Sequence, residues 1–498
     1  MRRVLFLLFI LSLSHTSWSQ SNSEQTMRLT LDEMIQLAKL QSISSFRSKN
    51  MYLSNYWRFR SYKASMLPSL NLTSQPITYN ASNIQTYDID GKPRFTYNEA
   101  ITTNTSLSVN QNVIPTGGTL SLSSNFNGIY NLNDTTIRKE SYNIIPISIR
   151  LSQPLNGFNR FKWESKLEPL AFEIAKKTFL LEMEALSEQA VHIFFGTVNT
   201  EIGLKIAETN LANADTLYRI GKGRFQIGTI TQNDLLDLEL TFLNAQIAKT
   251  KAEIALQRSR NKINSFLGLN TDIQIIPIIP DQIPSLKIDA AMALELAKQN
   301  SPEILRYEEQ LINANKKIAQ TRSTNGLTAD ISANLGINKN TNHLDESYQP
   351  PFNDNRGVGV SLKMPIMDWG KRKGQIQMAK SNKQVTEATI KQSLIDFEQN
   401  IIIQVLEFNL QETQVAITAK ADTIAQKGYK VTKQRFLIDK VDVLKLNMAR
   451  NSLDNSKRSY INAIQSYWQA YYNIRKLTLY NFEADEPISE DFDRLLQQ

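Results

Sequence analysis

The chain has 498 residues, enough for more than one domain, and its mean hydropathy of −0.33, with 41% hydrophobic and 21% charged residues, is not that of a helical membrane protein. The formal net charge of +8 falls to +6 if Arg2 and Arg3 leave with the first segment, and this thinly spread surplus argues against a nucleic-acid-binding protein. The chain contains no cysteine, which excludes a disulfide framework and a cysteine-linked lipid anchor.

The N-terminal segment has the composition of a targeting sequence. Arg2 and Arg3 precede an apolar run at residues 4–13, and small residues follow before Gln20. This order is typical of a secretory signal peptide, and the run is too short to span a membrane. We therefore predict a signal peptide at residues 1–19 and an exported protein, with a buried first helix as the alternative interpretation.

The sequence repeats itself. The stretches QPLNGFNRFK and MPIMDWGKRK place Pro154 and Pro365 at equivalent positions 211 residues apart, and RFQIGTITQNDLL and RFLIDKVDVLKL place Arg224 and Arg435 at the same offset. The earlier stretches MIQLAKLQS and ALELAKQNS lie 259 residues apart, so the first half carries 48 additional residues (259 − 211), all before Pro154. The pattern predicts two structural repeats in one chain.

The segments before each proline alternate apolar and polar residues. Leu120 and Leu122 alternate with Ser121 and Ser123, and residues 100–133 contain no charged residue. Alternation predicts strands with one apolar and one polar face, which suit either a soluble sandwich or, as tyrosines near the predicted strand ends favour, an outer-membrane barrel. One chain offers about four to six strands, fewer than the ~8 of the smallest closed barrels, so closure requires a symmetric oligomer.

The segments after each proline are predicted to be long helices. Apolar residues recur at the alternating spacings of four and three that are typical of coiled coils, as at Leu236, Leu240 and Leu243. A second apolar stripe, with Leu235 and Leu238, runs beside the first. A helix with two stripes packs against two neighbours, as in a bundle or a closed ring of helices.

These patterns give the following predicted organisation. The boundaries are a signal peptide at 1–19, a first repeat at 20–285 (a helix, strands at about 68–153 and long helices at about 160–268), a second repeat at 286–482 (a helix, strands at about 327–364 and long helices at about 371–480), and a C-terminal tail at 483–498.

Taken together, the chain resembles the TolC-type outer-membrane efflux factors. The resemblance is carried by LTLDEMIQLAK near the start, LPSLNL before the first strand, RLSQPL and SLKMPIMDWGKRKGQI at the strand-to-helix junctions, RFQIGTITQNDLLDLE and KVDVLKL at the helix breaks, and INSFLGL at the end of the first repeat. It implies a mainly α fold with a membrane β segment, in which a homotrimer builds a coiled-coil α-helical barrel and shares one outer-membrane β-barrel.

The resemblance also implies a function and partners. The implied function is a passive export duct of a tripartite efflux or type I secretion system, gated at its periplasmic tip. The duct would lie in the outer membrane of a Gram-negative bacterium, in contact with outer-membrane lipid and with its helical tunnel in the periplasm. Its partners would be a periplasmic adaptor (membrane fusion) protein and an inner-membrane transporter, and not nucleic acid.

The two helix breaks match the functional tip of that family. The resemblance implies an adaptor-docking tip at five residues: Ile227, Gly228, Thr229, Asp439 and Lys440. It implies a periplasmic gate lined by Asp234 and Asp442, and in a threefold arrangement we predict that Arg224 or Arg435 latches neighbouring helices of that gate through ion pairs. Considered by itself, each aspartate of this set is at least as well interpreted as a cap on the helix that follows it.

Two departures from the family pattern are visible. The second break lacks the Gly-Thr pair, offering Asp439 and Lys440 instead, and it is three residues shorter than the first, since Asp442 follows Asp234 by 208 residues (442 − 234 = 208) against the offset of 211 before it. The 48 additional residues exceed the four strands per chain that the resemblance implies, which predicts an added hairpin.

Catalytic and metal-binding patterns are missing from the sequence. His343 lies in a polar stretch, His192 is a lone histidine in a helical pattern, and GKGR at 221–224 lacks the spacing of a phosphate loop. We therefore expect no enzymatic activity, no cofactor and no metal. Two other classes remain open: a periplasmic coiled-coil structural or adhesive protein without a pore, and a periplasmic adaptor, although adaptors lack the duplicated uncharged strands.

Overall fold

A computed structural model of the chain describes residues 25–132, 139–270, 273–280, 283–324, 326–438, 440–441 and 443–496. The predicted signal peptide lies outside the described residues, as do Asp439 and Asp442 of the predicted tip and gate.

The fold is mainly α-helical with a β segment, as predicted. The elements in chain order are β1 (Gln25–Leu29), α1 (Leu31–Gln41), α2 (Ile43–Ser65), β2 (Ser69–Tyr87), β3 (Pro93–Val113), β4 (Gly118–Asn131), β5 (Glu140–Pro154), α3 (Arg160–Gln226), α4 (Gln232–Leu267), β6 (Ile273–Pro277), α5 (Ala290–Asn300), α6 (Pro302–Thr324), β7 (Thr328–Thr341), β8 (Asn353–Lys363), α7 (Lys371–Leu437), α8 (Val443–Thr478), β9 (Tyr480–Asn481), β10 (Glu486–Pro487) and α9 (Phe492–Leu495). Within the described part of the chain, no helix is both long and apolar enough to cross a membrane.

The long helices repeat to the residue. Helices α3 and α7 each have 67 residues, α4 and α8 each have 36, and each helix of the second repeat begins 211 residues after its counterpart. The connections are therefore equal in length as well: we call residues 227–231 the first turn and residues 438–442 the second turn. Helix α3 continues through Pro169, which a long packed helix tolerates at a cost.

This equality corrects one prediction. The second break is not three residues shorter than the first, because Asp442 is not the counterpart of Asp234. At an offset of 211, the counterpart of Asp442 is Thr231, the residue before α4, and the counterpart of Asp234 is Lys445. The two aspartates share a residue type but not a position in the repeat.

The chain divides into two compact units. The first unit comprises Met1–Phe46, Met183–Lys287 and Glu407–Asn473; the second comprises Arg47–Glu182, Ile288–Leu406 and Ile474–Gln498. In the first unit, β1 and β6 form a small parallel pair, and α1 is tied to α3 by an ion pair in which Lys39 Nζ lies 2.8 Å from Glu184 Oε1.

The long helices of the first unit pack in the order α4, α3, α8, α7. The contacts that define this order are stacked rings of Tyr218 and Phe242 between α3 and α4 (5.8 Å), a hydrogen bond from Asn199 to Asn462 between α3 and α8 (3.0 Å), and the rings of Phe408 and Tyr467 between α7 and α8 (5.3 Å). Helices α4 and α7 are thus the two edges of this row of helices.

Each edge helix carries an apolar stripe that this chain leaves uncovered. On α4, Leu235 and Leu238 face Gly221 of α3, which confirms that one of its two predicted stripes packs within the chain. The other stripe, which we call the α4 stripe, is exposed and consists of Leu236, Leu240, Leu243, Ile247 and Ile254. The α7 stripe is also exposed and recurs every seven residues, at Leu410, Ile417, Ile424 and Val431.

The second unit contains a six-stranded sheet in the order β2-β3-β4-β5-β7-β8, with every neighbouring pair antiparallel. Strands β2 to β5 belong to the first half and end at Pro154, whereas β7 and β8 belong to the second half and end before Pro365. The 48 additional residues of the first half thus accompany one additional hairpin. Pro76 and Pro146, which cannot donate to a ladder, both lie at shifts in strand register. Among the described residues, β2 and β8 each have one edge without a strand partner.

The strand register separates apolar from polar residues. Directly paired residues lie on the same face of a sheet, and the next residue along lies on the other face. One row of partners across all six strands is Leu70, Val109, Leu122, Ile149, Leu335 and Arg356; the adjacent row is Asn71, Ser108, Ser123, Ser148, Gly336 and Asn355. The sheet therefore has one apolar and one polar face, as the sequence predicted.

Candidate functional site

The first turn reverses the chain between α3 and α4. Gly228 has a φ of +74°, a conformation that a residue without Cβ adopts freely. The backbone N–H of Thr229 donates to the carbonyl oxygen of Arg224 (2.9 Å), and the hydroxyl of Thr229 donates to the same oxygen (2.9 Å). Of the predicted tip and gate residues, the turn thus joins Arg224 and Thr229 by hydrogen bonds, while the N–H of Gly228 donates to the carbonyl oxygen of Phe225 (3.0 Å).

A reciprocal capping box begins α4. The backbone N–H of Asp234 donates to Thr231 Oγ1 (3.2 Å), while the hydroxyl and the backbone N–H of Thr231 donate to Asp234 Oδ2 (2.6 and 3.0 Å). These hydrogen bonds, from the hydroxyl first and the backbone N–H second, lower the pKa of Asp234 below its ordinary value. Asp234 therefore caps a helix and remains ionised, which leaves it a negative charge on an exposed surface.

The second turn has the same backbone path where it is described. The N–H of Lys440 donates to the carbonyl oxygen of Arg435 (2.9 Å), and this bond is the counterpart, 211 residues on, of the bond from Thr229 to Arg224. The predicted roles of Asp439 and Asp442 fall outside the described residues.

Both turns expose an isoleucine at the same position. The side chain of Ile227 is 75% exposed and that of Ile438 is 65% exposed. Sequence reasoning included Ile227 and missed Ile438, although the offset of 211 identifies it. It also missed Thr231, for which the spacing of a threonine three residues before an acidic residue was the available signal.

The sheet supplies a second candidate surface. Eleven side chains on its apolar face are large, hydrophobic and exposed in this chain: Leu70, Leu72, Leu107, Leu120, Leu122, Ile147, Ile149, Leu335, Val358, Val360 and Leu362. A contiguous apolar surface of this kind marks contact with lipid or with another protein. On the same face, Arg356 is paired with Asp354 at 2.6 Å, so this charge has a partner.

The described residues offer no site for a metal ion. No group of three or more histidine, cysteine or acidic side chains that could hold one is found in the described ranges.

Comparison with known proteins gives a family match in the second repeat. Residues 293–478 match the family described as outer membrane efflux protein. This segment extends from within α5 to the end of α8, and so includes the second turn and the hairpin of β7 and β8.

Two curated relatives align with part of the chain. Protein CyaE of Bordetella pertussis is 26% identical over 215 residues, which are 42% of this chain and 41% of that protein. Nodulation protein T of Rhizobium leguminosarum bv. trifolii is 21% identical over 279 residues, 54% of this chain and 57% of that protein. The chain thus spans about half the length of the curated relatives that it matches.

Solved structures match nearly the whole chain. The Campylobacter jejuni CmeC outer membrane channel has a TM-score of 0.65 at 14% identity and covers 94% of this chain and 88% of its own. The outer membrane protein VceC of Vibrio cholerae has a TM-score of 0.61 at 12% identity, with 92% and 97% covered. The open-state MtrE channel of Neisseria gonorrhoeae has a TM-score of 0.57 at 14% identity, with 90% and 88% covered. These matches establish the fold.

Proposed function

We propose that this chain, whose residues 293–478 match the outer membrane efflux protein family and whose fold matches that of solved outer membrane channels, is the outer-membrane duct of an export system, of the tripartite efflux or the type I secretion kind. The duct is passive: it forms a continuous water-filled path, and other proteins select and drive what passes through it.

The observation that carries this proposal is the two-faced sheet. Its exposed apolar face would be unfavourable in water by about 25 cal/mol for each Å² that stays uncovered, whereas in a bilayer it meets hydrocarbon. The opposite face presents serine, asparagine and glycine, which suit a water-filled lumen. A single chain cannot close such a wall with six strands.

The helices support closure by several copies in a ring. The α4 stripe and the α7 stripe lie on opposite edges of the helix row, and both are uncovered. An interface between two different surfaces is head-to-tail, and such an interface closes into a ring when the rotation allows it. We propose that the α4 stripe of one copy packs on the α7 stripe of the next, and that the ring is a homotrimer.

We propose the following roles for the two turns and their surroundings. Exposed Ile227 and its neighbours Gly228 and Thr229 dock a periplasmic adaptor, together with Asp439 and Lys440 of the second turn. The adaptor in turn connects the duct to an inner-membrane transporter. The repeats at 20–285 and 286–482, the signal peptide at 1–19 and the tail at 483–498 form the domain organisation that we propose.

We further propose that the gate uses charge. Asp234, which stays ionised in its capping box, and Asp442 supply an acidic ring, and Arg224 and Arg435 pair with neighbouring helices. Exposed ion pairs contribute only about 0–1 kcal/mol each, which suits contacts that must open.

Electrical recordings on the full chain purified from outer membranes test these proposals. We expect an intact trimer on size-exclusion chromatography with light scattering, and discrete cation-preferring conductance steps in planar bilayers. A helical oligomer that gives no conductance would instead support a periplasmic coiled-coil protein without a pore.

The gate is tested in the same recordings with Asp234→Asn and Asp442→Asn combined. Asparagine removes the charge but retains an oxygen that accepts a capping hydrogen bond. We expect cation preference to fall with the conductance steps retained. Unchanged selectivity would exclude the lining role of these aspartates without affecting the assignment of the protein as a channel.

A further inference from the structure

The number of strands in the sheet bears on the size of the barrel. Each chain contributes six strands to one continuous sheet, and strands β3 and β4 each pair with a neighbouring strand on both sides over most of their length. Where a chain of this family contributes four strands, three copies give twelve. The question is therefore whether β3 and β4 belong to the wall of the barrel or form a separate appendage.

The side-chain pattern places β3 and β4 in the wall. Leu107 and Val109 of β3 and Leu122 of β4 continue the apolar face, while Ser108 and Ser123 continue the polar face. An appendage in water would have no reason to keep an uncovered apolar face in register with the strands on either side. The alternation is therefore continuous from β2 to β8, with no strand at which the two faces exchange.

The two open edges of the sheet fit each other. The sheet contains an even number of strands in a purely antiparallel order, so β2 and β8 run in opposite directions. When β8 of one copy meets β2 of the next, the new pair is antiparallel like every other pair in the sheet. Open strand edges are not tolerated in hydrocarbon, because their backbone groups would lack hydrogen-bond partners there.

Resting on the proposed trimeric duct, we infer that β8 of each copy pairs with β2 of the next copy and that all six strands enter the wall, which gives an 18-stranded barrel. The occupant of each open edge is thus a second copy of this chain. With strands ~4.8 Å apart and tilted by ~40°, 18 strands enclose a backbone diameter of about 35 Å, against about 24 Å for twelve. The lumen would be large enough for a wide aqueous path.

Disulfide trapping tests the seam between copies, and the absence of native cysteine makes the background clean. Ser361 lies two residues from the end of β8, and Asn71 and Thr73 lie two and four residues from the start of β2, all on the polar face. We expect Ser361→Cys combined with Asn71→Cys or with Thr73→Cys to give covalent dimers and trimers in oxidised outer membranes. Ser361→Cys combined with Ser123→Cys of β4 is the matched control and should give none.

Accessibility of spin labels tests the strand count. Single cysteines are placed at Leu107 and Ser108 of β3 and at Leu122 and Ser123 of β4, with Val360 and Ser361 of β8 as the reference pair. We expect labels at the three apolar positions to be relaxed by oxygen, which concentrates in lipid, and labels at the three serine positions to be relaxed by a water-soluble nickel complex.

Three outcomes would contradict three different claims: the strand count, the seam between copies and the proposed function. If labels on β3 and β4 are all accessible to the water-soluble complex while the β8 pair alternates, the barrel has fewer strands and the inference is wrong. If no cysteine pair crosslinks although the trimer and its conductance persist, the proposed seam is wrong. Loss of both the trimer and the conductance in the unsubstituted protein would instead contradict the proposed function itself.

Discussion

The first and second turns share one backbone hydrogen bond, but different residues surround it. Each connects a 67-residue helix to a 36-residue helix, and each includes a 2.9 Å hydrogen bond from the fifth residue after an arginine back to the carbonyl of that arginine. In the first turn this path is reinforced by Gly228 and by the capping box of Thr231 and Asp234. In the second, Lys445 stands where Asp234 stands in the first.

The equal offsets show that the repeat sets where the helices end. The first turn shows that individual residues then stabilise the connection between two helices. A turn that holds its conformation with its own residues suits a constant docking surface. Substitutions in the first turn can remove its support one residue at a time, and local hydrogen exchange can measure the change.

The largest effect is expected for Gly228→Ala. The residue has a φ of +74° and nothing lies within 4 Å of an added Cβ, so the cost is that of the left-handed backbone alone, about 1–2 kcal/mol. Exchange of amides in the first turn should accelerate by about 5- to 30-fold in hydrogen-exchange mass spectrometry.

The matched control for this glycine is Gly428→Ala. Gly428 is an exposed helical glycine of α7 that also has nothing within 4 Å of an added Cβ. Alanine is favoured over glycine in a helix by about 1 kcal/mol, so exchange there should slow. Equal effects of both substitutions would contradict a special role for the backbone of Gly228.

A smaller effect is expected for Thr231→Ala, which removes the N-cap side chain of α4. Loss of a threonine cap costs about 1 kcal/mol, so amide exchange in the first turn of α4 should accelerate by about fivefold. Thr241→Ala is the control in the same helix, since the hydroxyl of Thr241 donates to the carbonyl oxygen of Asp237 (2.8 Å) one turn earlier and caps no helix end. If both variants exchange alike, the capping box does not stabilise the turn.

The smallest effect is a dependence on pH. Because its hydrogen bonds lower the pKa of Asp234 in the folded chain, ionised Asp234 stabilises the turn at every pH above the ordinary aspartate range. That contribution is lost as pH falls below about 4 and through the folded pKa. The difference in thermal stability between the unsubstituted chain and Asp234→Asn should therefore shrink on acidification.

A matching substitution at the equivalent position controls for general effects of acid. Lys445 occupies the place of Asp234 in the second repeat, and Lys445→Gln leaves Asp234 and its capping box unchanged. Its difference from the unsubstituted chain should stay constant as pH falls. A difference for Asp234→Asn that grew on acidification would have the wrong sign for a lowered pKa.

Much of the fold was predictable from periodicity. Alternation at Leu120 and Leu122 gave the two-faced strands, and spacings such as Leu236 to Leu240 to Leu243 gave helices with two stripes. The repeat offset of 211 could also be read from the sequence, because helices of equal length keep their matching residues at a constant separation.

The turns were less predictable, because residue type and position in the repeat can disagree. Asp442 was matched to Asp234 because both are aspartates, and this made the two breaks unequal in length. The starts of α4 and α8 instead align Asp442 with Thr231. Capping depends on which backbone N–H groups lack a partner, and this is set by where the helix begins. The spacing between Thr231 and Asp234 carried that information, although an aspartate by itself did not.

The α7 stripe has a consequence for how the gene can change. Its residues Leu410, Ile417, Ile424 and Val431 stay in line only because each is seven residues from the next. One codon inserted after Leu410 would rotate the rest of the helix by about 100° and turn the remaining side chains away from that line. Single-residue insertions or deletions in the long helices would therefore disrupt their packing stripes, which is consistent with the equal lengths of α3 and α7. The sheet tolerates a different kind of insertion. Two added strands, joined as a hairpin, keep every neighbouring pair antiparallel, and the 48 additional residues of the first half are an example.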